Sequence, residues 1–382
     1  MNKIIKKIRI IIYSLIYEKP IIAKKLSIFE EKKKISIEKN NYEVSKIKKG
    51  RLYTDNNYFA GYILPNNTLS NISYQYVGFK KSKSASVYNA KLNYNPILNI
   101  GTPRLAKKYK KKILSLLSGG ASRVNFTHWF EDVLPRIYLF KKCFPRIKID
   151  KILVPSKTLK FQVESLKNFG FKNHQILTAE NNKHIICDEL YATTHPSLHN
   201  PERVPKWNLN FIKKSFHNNN NNNLSFNRIY IDRVFKKNVE DDLSSNRNLK
   251  QYKNIRYILN NAEIKKYLVN LNFTIIRPEN YSLNDQISIF SNAKIVVSIY
   301  GAALYMINFC KKKTKVIEIK PFLSGNDFLR ISNINGLIHR QIKIKPHIMP
   351  DNTQQGLLIC PLYNLKKTFT ELKINWNVKL LN

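Results

Sequence analysis

The sequence predicts an α/β protein made of two Rossmann-like domains facing a cleft. Three observations lead there. Beyond about residue 120, short apolar runs alternate with amphipathic stretches of about ten residues, the pattern of βαβ units laid over a parallel sheet. That alternation is interrupted once, by Pro196, Pro201 and Pro205 followed by the asparagine run 218–223, and then resumes. Finally, 382 residues with a 43% hydrophobic share suffice for two ordinary domains with sizeable cores, which excludes a wholly disordered chain.

The elements follow in order. Ile4, Ile5, Ile8, Ile11, Ile12, Leu15 and Ile16 recur at helical spacing, with Lys3, Lys6, Lys7 and Arg9 mostly elsewhere around the wheel. The unbroken apolar run from Ile10 to Tyr17 is far short of the roughly 20 residues that span a bilayer. No small-residue cleavage site follows, which argues against a secretory signal. Two readings of this helix stand: it lies on an anionic membrane leaflet, or it packs on the protein's own surface. Residues 20–50 are rich in Lys and Glu and read as a solvated connector, so 1–50 form a basic amphipathic helix with its connector. Residues 51–100 hold Tyr/Ile/Val runs broken by Asn, Gly and Pro, expected as strands and turns. Phe126–Phe144 is a helix that Pro135 must kink or divide. Lys151–Val154 is a strand, Leu159–Asn168 a helix closed by Gly170, and His184–Ala192 a strand. A first domain therefore covers 51–200.

After the break, Arg228–Asp232 is a strand, 234–254 a polar insertion and Asn260–Leu271 a helix. Phe273–Arg277, Lys294–Ile299 and Lys315–Ile319 are strands, with helices at Leu283–Asn292 and Ala302–Phe309 between them. Ser282 and Asp285 have the spacing of a capping box. These place a second domain at 224–345, with 346–382 as an extension packing back on the first.

The charge is unusual, 66 Lys plus Arg against 25 Asp plus Glu, a formal +41. Nucleic acid, an anionic membrane and anionic substrates are the classes it suggests. Its make-up weakens the first: 52 of the 66 are Lys and only 14 Arg, beside abundant Asn, Ile and Tyr, the mix A/T-rich coding produces. The excess is spread along the chain, without the aromatic interleaving of a single-strand platform, so no nucleic-acid partner is expected. Cys143, Cys187, Cys310 and Cys360 lie far apart with no CxxC pair, as free thiols in a reducing compartment do. The expected location is the cytoplasm, with peripheral attachment to the inner face of its membrane on the first reading of the helix.

Two stretches carry chemistry. In Ile295-Val-Val-Ser-Ile-Tyr-Gly-Ala-Ala-Leu304 a buried strand turns on Gly301 into a helix of small residues, whose free N–H groups suit an anion. Arg233 stands just past the strand 228–232, at the same expected sheet edge, and its planar fork suits a phosphate. Glu318 interrupts the apolar strand Val316-Ile-Glu-Ile319. A carboxylate there is costly unless it pairs with a Lys or Arg or is reached by a ligand such as a ribose hydroxyl. Together Arg233, Gly301, Ala302 and Glu318 make a nucleotide-diphosphate site. In the second stretch, Asn125 to Arg136, His128 and Asp132 are i and i+4 on one helical face. The carboxylate can orient the imidazole as a general base; the local alternative is an Asp132–Arg136 pair.

These residues resemble glycosyltransferase family 61, of the type found in capsule and surface-polysaccharide loci. The resemblance runs through His128-Trp129 to Asp132 and Arg136, Ile229-Tyr-Ile-Asp-Arg233 and Arg256-Tyr-Ile-Leu-Asn260, then Asp285 to Ala293, Tyr300-Gly-Ala-Ala-Leu304 and Val316-Ile-Glu-Ile319. It implies a GT-B-like fold and an inverting transfer from a nucleotide-sugar donor to a glycan or lipid-linked acceptor. Arg233, Arg256, Asn260, Tyr300, Gly301, Ala302 and Glu318 would serve the donor, and His128 and Asp132 the acceptor side. No cofactor and no obligatory metal are expected, since Arg and a helix N-terminus can stabilise a leaving diphosphate. The acidic triplet Glu240-Asp241-Asp242 is the competing metal motif, set in a polar insertion without a strand leading into it. Three positions depart from the family pattern: Tyr300 stands for His, Asn261 for Glu and Met306 for Asn. They keep open a catalytically degenerate member, beside a non-enzymatic polyanion binder.

Overall fold

The computed structural model describes residues 3–22, 27–54, 60–73, 92, 95–118, 120–197, 204–217, 224–233, 241–243, 245 and 249–374. The asparagine run, Pro201 and Glu240 fall outside them. The chain divides into two compact units, residues 1–215 and 216–382.

The first unit is built on one mixed sheet. Its strands are β1 (Ile21–Ile22), β2 (Glu30–Ile37), β3 (Asn40–Lys48), β4 (Arg51–Tyr53), β5 (Gly61–Ile63), β6 (Thr68–Leu69), β7 (Lys107–Ser115), β8 (Lys151–Val154), β9 (Ile176–Thr178) and β10 (His184–Thr193). They run in the order β1-β6-β5-β4-β10-β7-β8-β9, with β3 pairing both β10 and β2. β10, β7, β8 and β9 form a parallel block, so their carboxyl ends share one edge. Ile47, Leu52, Ile113, Leu153, Ile185 and Leu190 centre its core.

Residues 30–48, expected as a solvated connector, are instead the β2–β3 hairpin, in register from Glu30↔Ile47 to Ile37↔Asn40. Glu38 and Lys39, both at positive φ, form the tight turn, whose twist matches the strands. Tyr42 and Val44 are buried on one face of β3 and Ile47 on the other, while Lys32 pairs with Glu30 at 3.7 Å and Glu43 at 3.5 Å. The Lys and Glu that look like a solvated linker are the partly exposed residues of this half-buried sheet edge.

The N-terminal helix α1 (Lys3–Ile16) forms as its periodicity requires. Ile10, Tyr13, Ser14 and the following Tyr17 are partly buried. Ile4, Ile8, Ile11 and Leu15 are exposed, the last at 83%. The helix thus packs on the protein's own surface through its tyrosine face and leaves its isoleucine face exposed.

The second unit holds β11 (Arg228–Ile231), β12 (Arg256–Ile258), β13 (Thr274–Ile276), β14 (Ile295–Ile299), β15 (Lys315–Pro321), β16 (Ile338–Ile344) and β17 (Gly356–Leu358). The sheet β13-β11-β14-β15-β16 is parallel throughout. In chain order this is 2-1-3-4-5, a doubly wound order whose switch point lies between β11 and β14. β14 is buried at all five positions, which is why its sequence is an unbroken apolar run. The capping box at Ser282 forms, with Ser282 Oγ accepting from Asp285 N–H.

Residues 346–374, expected to pack back on the first domain, complete the core of the second unit. β17 pairs with β12, and the helix Leu362–Glu371 buries Leu365 and Phe369. Phe369 stacks on Phe273 at 5.8 Å. The apolar face of this last helix packs into the core of its own unit, against β16.

Candidate functional site

In the first unit Pro135 shapes the site. Its ring would clash with the carbonyl four residues back in a regular helix, and the chain answers with a π-turn over Trp129–Val133, in which Leu134 N–H reaches Trp129 O at 3.1 Å. Trp129 is fully buried and donates from Nε1 to Ser165 Oγ at 2.9 Å, which pins the turn. Asp132 is thereby held at 6% exposure. Its Oδ2 lies 2.8 Å from His128 Nδ1 and its Oδ1 3.5 Å from Nε2 of His195. With a carboxylate to accept from it, His128 Nδ1 carries the proton and Nε2 the lone pair.

His195, two residues past β10 on the carboxyl edge, is oriented separately: Ser197 N–H donates to its Nδ1 at 3.1 Å. Arg136 does not pair with the Asp132 carboxylate; its Nε donates to the Asp132 carbonyl at 3.0 Å and its Nη1 to Thr193 O at 2.8 Å, tying the turn to the end of β10. Burial by itself would raise the Asp132 carboxyl, but His195, the His128 hydrogen bond and Arg136 outweigh it and hold it below its ordinary value. Burial pushes His195 down to about 4, against the pull of Asp132. The result is an ionised, nearly buried carboxylate gripping a histidine whose own side chain is 43% exposed.

The second unit gathers cations at its switch point. Arg233 follows β11, and the Gly301 turn follows β14. A β-carbon at Gly301 would lie 3.2 Å from Arg233 Nη1, so the glycine lets guanidinium and backbone meet. Arg256, at the start of β12, stacks over the Tyr300 ring at 4.8 Å, and Lys320 approaches the same ring at 5.7 Å. Burial, then the neighbouring Arg233 charge, push Arg256 down to about 10, which leaves it cationic near neutral pH. Glu318 is completely buried; its Oε2 lies 3.1 Å from His339 Nε2 and accepts from Gln341 Nε2 at 2.8 Å. The partners are thus a histidine and an amide on the adjacent β16, where a Lys or Arg was one of the two readings. Among the described residues, Glu318 Oε1 and Arg256 Nε are buried without a hydrogen-bond partner. Two such atoms in one cluster are costly unless a ligand completes them.

The structure thus brings Arg233, Arg256, Tyr300 and Gly301 together, with Ala302 opening a 3₁₀ helix to Phe309. Asn260 is not brought to them. Its amide donates to Cys360 O and its carbonyl accepts from Cys360 N–H, both at 2.9 Å, clasping β12 to the C-terminal segment. The departures find physical roles. Tyr300 donates to Asp327 Oδ2 at 2.7 Å, so its ring face rather than its hydroxyl meets Arg256. Asn261 bridges Tyr230 and Asp232 at 2.6 and 2.9 Å, and Met306 lies fully in the core. Asp242 accepts from Tyr252 at 2.8 Å, and among the described residues no group of His, Cys, Asp and Glu is placed to hold a metal.

His195 and Lys320 were missed. Lys320 had a signal: it stands two residues after Glu318 on one strand, hence on the same face. His195 lies in the Pro-bearing stretch after β10, and only contacts across the fold, such as Arg136 to Thr193 at the end of β10, bring this stretch beside Asp132.

Fold and sites define a class: an α/β protein with cations clustered at the switch point of one unit and a carboxylate-held histidine in the other. The family model described as Glycosyltransferase 61 matches residues 126–317, half of the chain, and the chain belongs to that family. It is by family a glycosyltransferase, acting between a donor and an acceptor. The match spans both His128–Asp132 and the Arg233–Gly301 cluster. No curated protein matches the chain.

Proposed function

We propose that the protein is an inverting, GT-B-like glycosyltransferase that moves a sugar from a nucleotide-sugar donor to a glycan or lipid-linked acceptor in surface-polysaccharide synthesis. The observation that carries the reading is the switch-point cluster, where Arg233, Arg256 and the Gly301–Ala302 amides suit a diphosphate and the buried Glu318 suits a hydroxyl. His128 Nε2 takes the acceptor hydroxyl proton as the oxygen attacks the anomeric carbon. The bond to the nucleoside diphosphate breaks, and the arginines balance its charge. Asp132, with both oxygens facing histidines, acts through His128. The first unit supplies the acceptor side and the second the donor side, in the cytoplasm, with α1 lying on an anionic membrane surface.

The test is a thermal-shift screen of nucleotide sugars followed by product analysis with the best donor. Arg233→Ala and Arg256→Ala should each weaken donor stabilisation at least tenfold, as loss of a charge-assisted contact does. A full donor response in both variants, or no response to any nucleotide sugar in the wild type, overturns the assignment.

A further inference from the structure

A basic cavity beside α1 takes no part in the chemistry above. It encloses about 350 Å³ and is lined by Arg9 and Tyr13 of the helix and by Arg104, Lys107, Lys183 and His184 of the sheet unit. Four cationic side chains converge there. Glu180 also borders the cavity and pairs with Arg123 at 2.5 Å. His184 is 2% exposed and donates from Nδ1 to Arg104 O at 2.5 Å. Its Nε2 is therefore an acceptor, buried and without a hydrogen-bond partner among the described residues. Cations with a buried acceptor between them fit a phosphate carrying a neighbouring hydroxyl, the chemistry of a phosphoglycerol headgroup.

The surroundings say where that group comes from. Tyr17, just past α1, accepts from Ala106 N–H at 3.1 Å, packs edge-on to His184 at 4.8 Å and lies under Arg51 at 5.1 Å. This anchors the tyrosine face of the helix against the cavity. At 100° per residue the exposed Ile4, Ile5, Ile8, Ile11, Ile12, Leu15 and Ile16 span an arc of about 140°, with Arg9 about 20° and Tyr13 about 60° beyond its edge. Leu105, on the cavity lining, is itself 67% exposed and carries the apolar surface to the rim. Among the described residues no helix is long and apolar enough to cross a membrane. An exposed apolar stripe bordered by basic groups is complementary to the acyl boundary and anionic headgroups of a bilayer.

We propose that α1 and this cavity together form a docking site for an anionic phospholipid bilayer, the isoleucine face entering the acyl boundary and the cavity seating one headgroup phosphate. The proposal deepens the membrane reading of α1 and rests on it. It also gives the helix a reason to stay fixed to the sheet, because one headgroup bridges Arg9 to Arg104 and Lys183.

Flotation of the full chain with phosphatidylcholine vesicles, with and without phosphatidylglycerol, tests it. The wild type should bind the acidic vesicles. Ile8→Asp with Ile11→Asp alters exposed positions only and should abolish binding; undiminished binding overturns the membrane reading itself. Arg104→Gln with Lys183→Gln should weaken binding on the order of tenfold, while Lys312→Gln with Lys313→Gln, removing equal charge from the second unit, should change it less than about twofold. Equal losses from the two pairs would mean diffuse charge and overturn the cavity. Soluble short-chain phosphatidylglycerol should shift the His184 ring resonances by NMR, and inorganic phosphate should do so far more weakly. Unmoved resonances, or an equal response to phosphate alone, would overturn headgroup seating while leaving the helix reading intact.

Discussion

Asp132→Asn is the sharpest test of the first-unit site. The substitution keeps the shape and the acceptor for His128 but removes the charge and sets an NH2 against His195 Nε2–H. In the structure that charge lies 2.8 Å from His128 Nδ1 and 3.5 Å from His195 Nε2, at 6% exposure. An amide can still accept from His128, so the π-turn and its Trp129 anchor stay in place. What is lost is the stabilisation of a protonated imidazole as the acceptor hydroxyl gives up its proton. General-base assistance contributes about 10²- to 10⁴-fold in rate, or about 3–5 kcal/mol of barrier. We expect kcat to fall within that range. Donor affinity should hold, since the proposed donor residues belong to the second unit. The assay is release of nucleoside diphosphate with the donor found by thermal shift, run beside donor titration of the inactive variant. A kcat within about threefold of wild type would refute the role of Asp132; an equal loss of donor binding would show a folding defect instead.

Three further outcomes follow from the same geometry. His195, lowered from 6.5 to about 4, and His184, also lowered to about 4 by burial first, remain neutral in the fold while the unfolded chain takes up protons. Stability should therefore be fully present above about pH 6.5 and lost as pH falls towards 4, by up to about 3 kcal/mol per histidine; His195→Gln should flatten the melting profile over that window, and an unchanged slope counts against the buried neutral imidazole. Gly301→Ala meets no backbone strain at φ 170°, so the melting temperature should move by only a few degrees while the methyl crowds Arg233 and donor affinity drops several-fold in the thermal-shift titration. Trp129→Ala empties a fully buried site and frees Ser165, and should cost about 3–5 kcal/mol in urea unfolding.

The second unit was the more legible in sequence because a parallel strand buried on both faces announces itself as an apolar run, and β14 and β15 do so. Once those strands are placed, Arg233, Gly301 and Glu318 fall at one edge by strand direction alone. The first unit hid more. β2 is written largely in Lys and Glu, and its alternation reads as a solvated linker until β3 and β10 are there to bury the other face. Asn260 was expected at the donor site because the family resemblance places it there; the clasp to Cys360 depends on a pairing 100 residues away. His195 depends in the same way on which strand neighbours β10. Local pattern fixes elements, and contacts distant in sequence decide which polar side chains are left for chemistry.

The net charge illustrates the same distinction. A formal +41 says little about the sites, because among the described residues most lysines lie on exposed or half-exposed positions where water solvates them at little cost. The cations built into the two sites are mainly arginines: Arg136 at 5% exposure, and Arg233 and Arg256 partly buried. A guanidinium is more weakly hydrated than an ammonium and spreads its charge over a plane that can stack, as Arg256 does on Tyr300. It can therefore be desolvated where a lysine would need dedicated acceptors. Lys320, the fully buried lysine of the cluster, has two of them, the Gly325 carbonyl and the Asn326 side chain. In a chain with 52 lysines, the 14 arginines carry more information about the sites. The basic cavity beside α1 is the exception, lined by Lys107 and Lys183 as well as by Arg9 and Arg104.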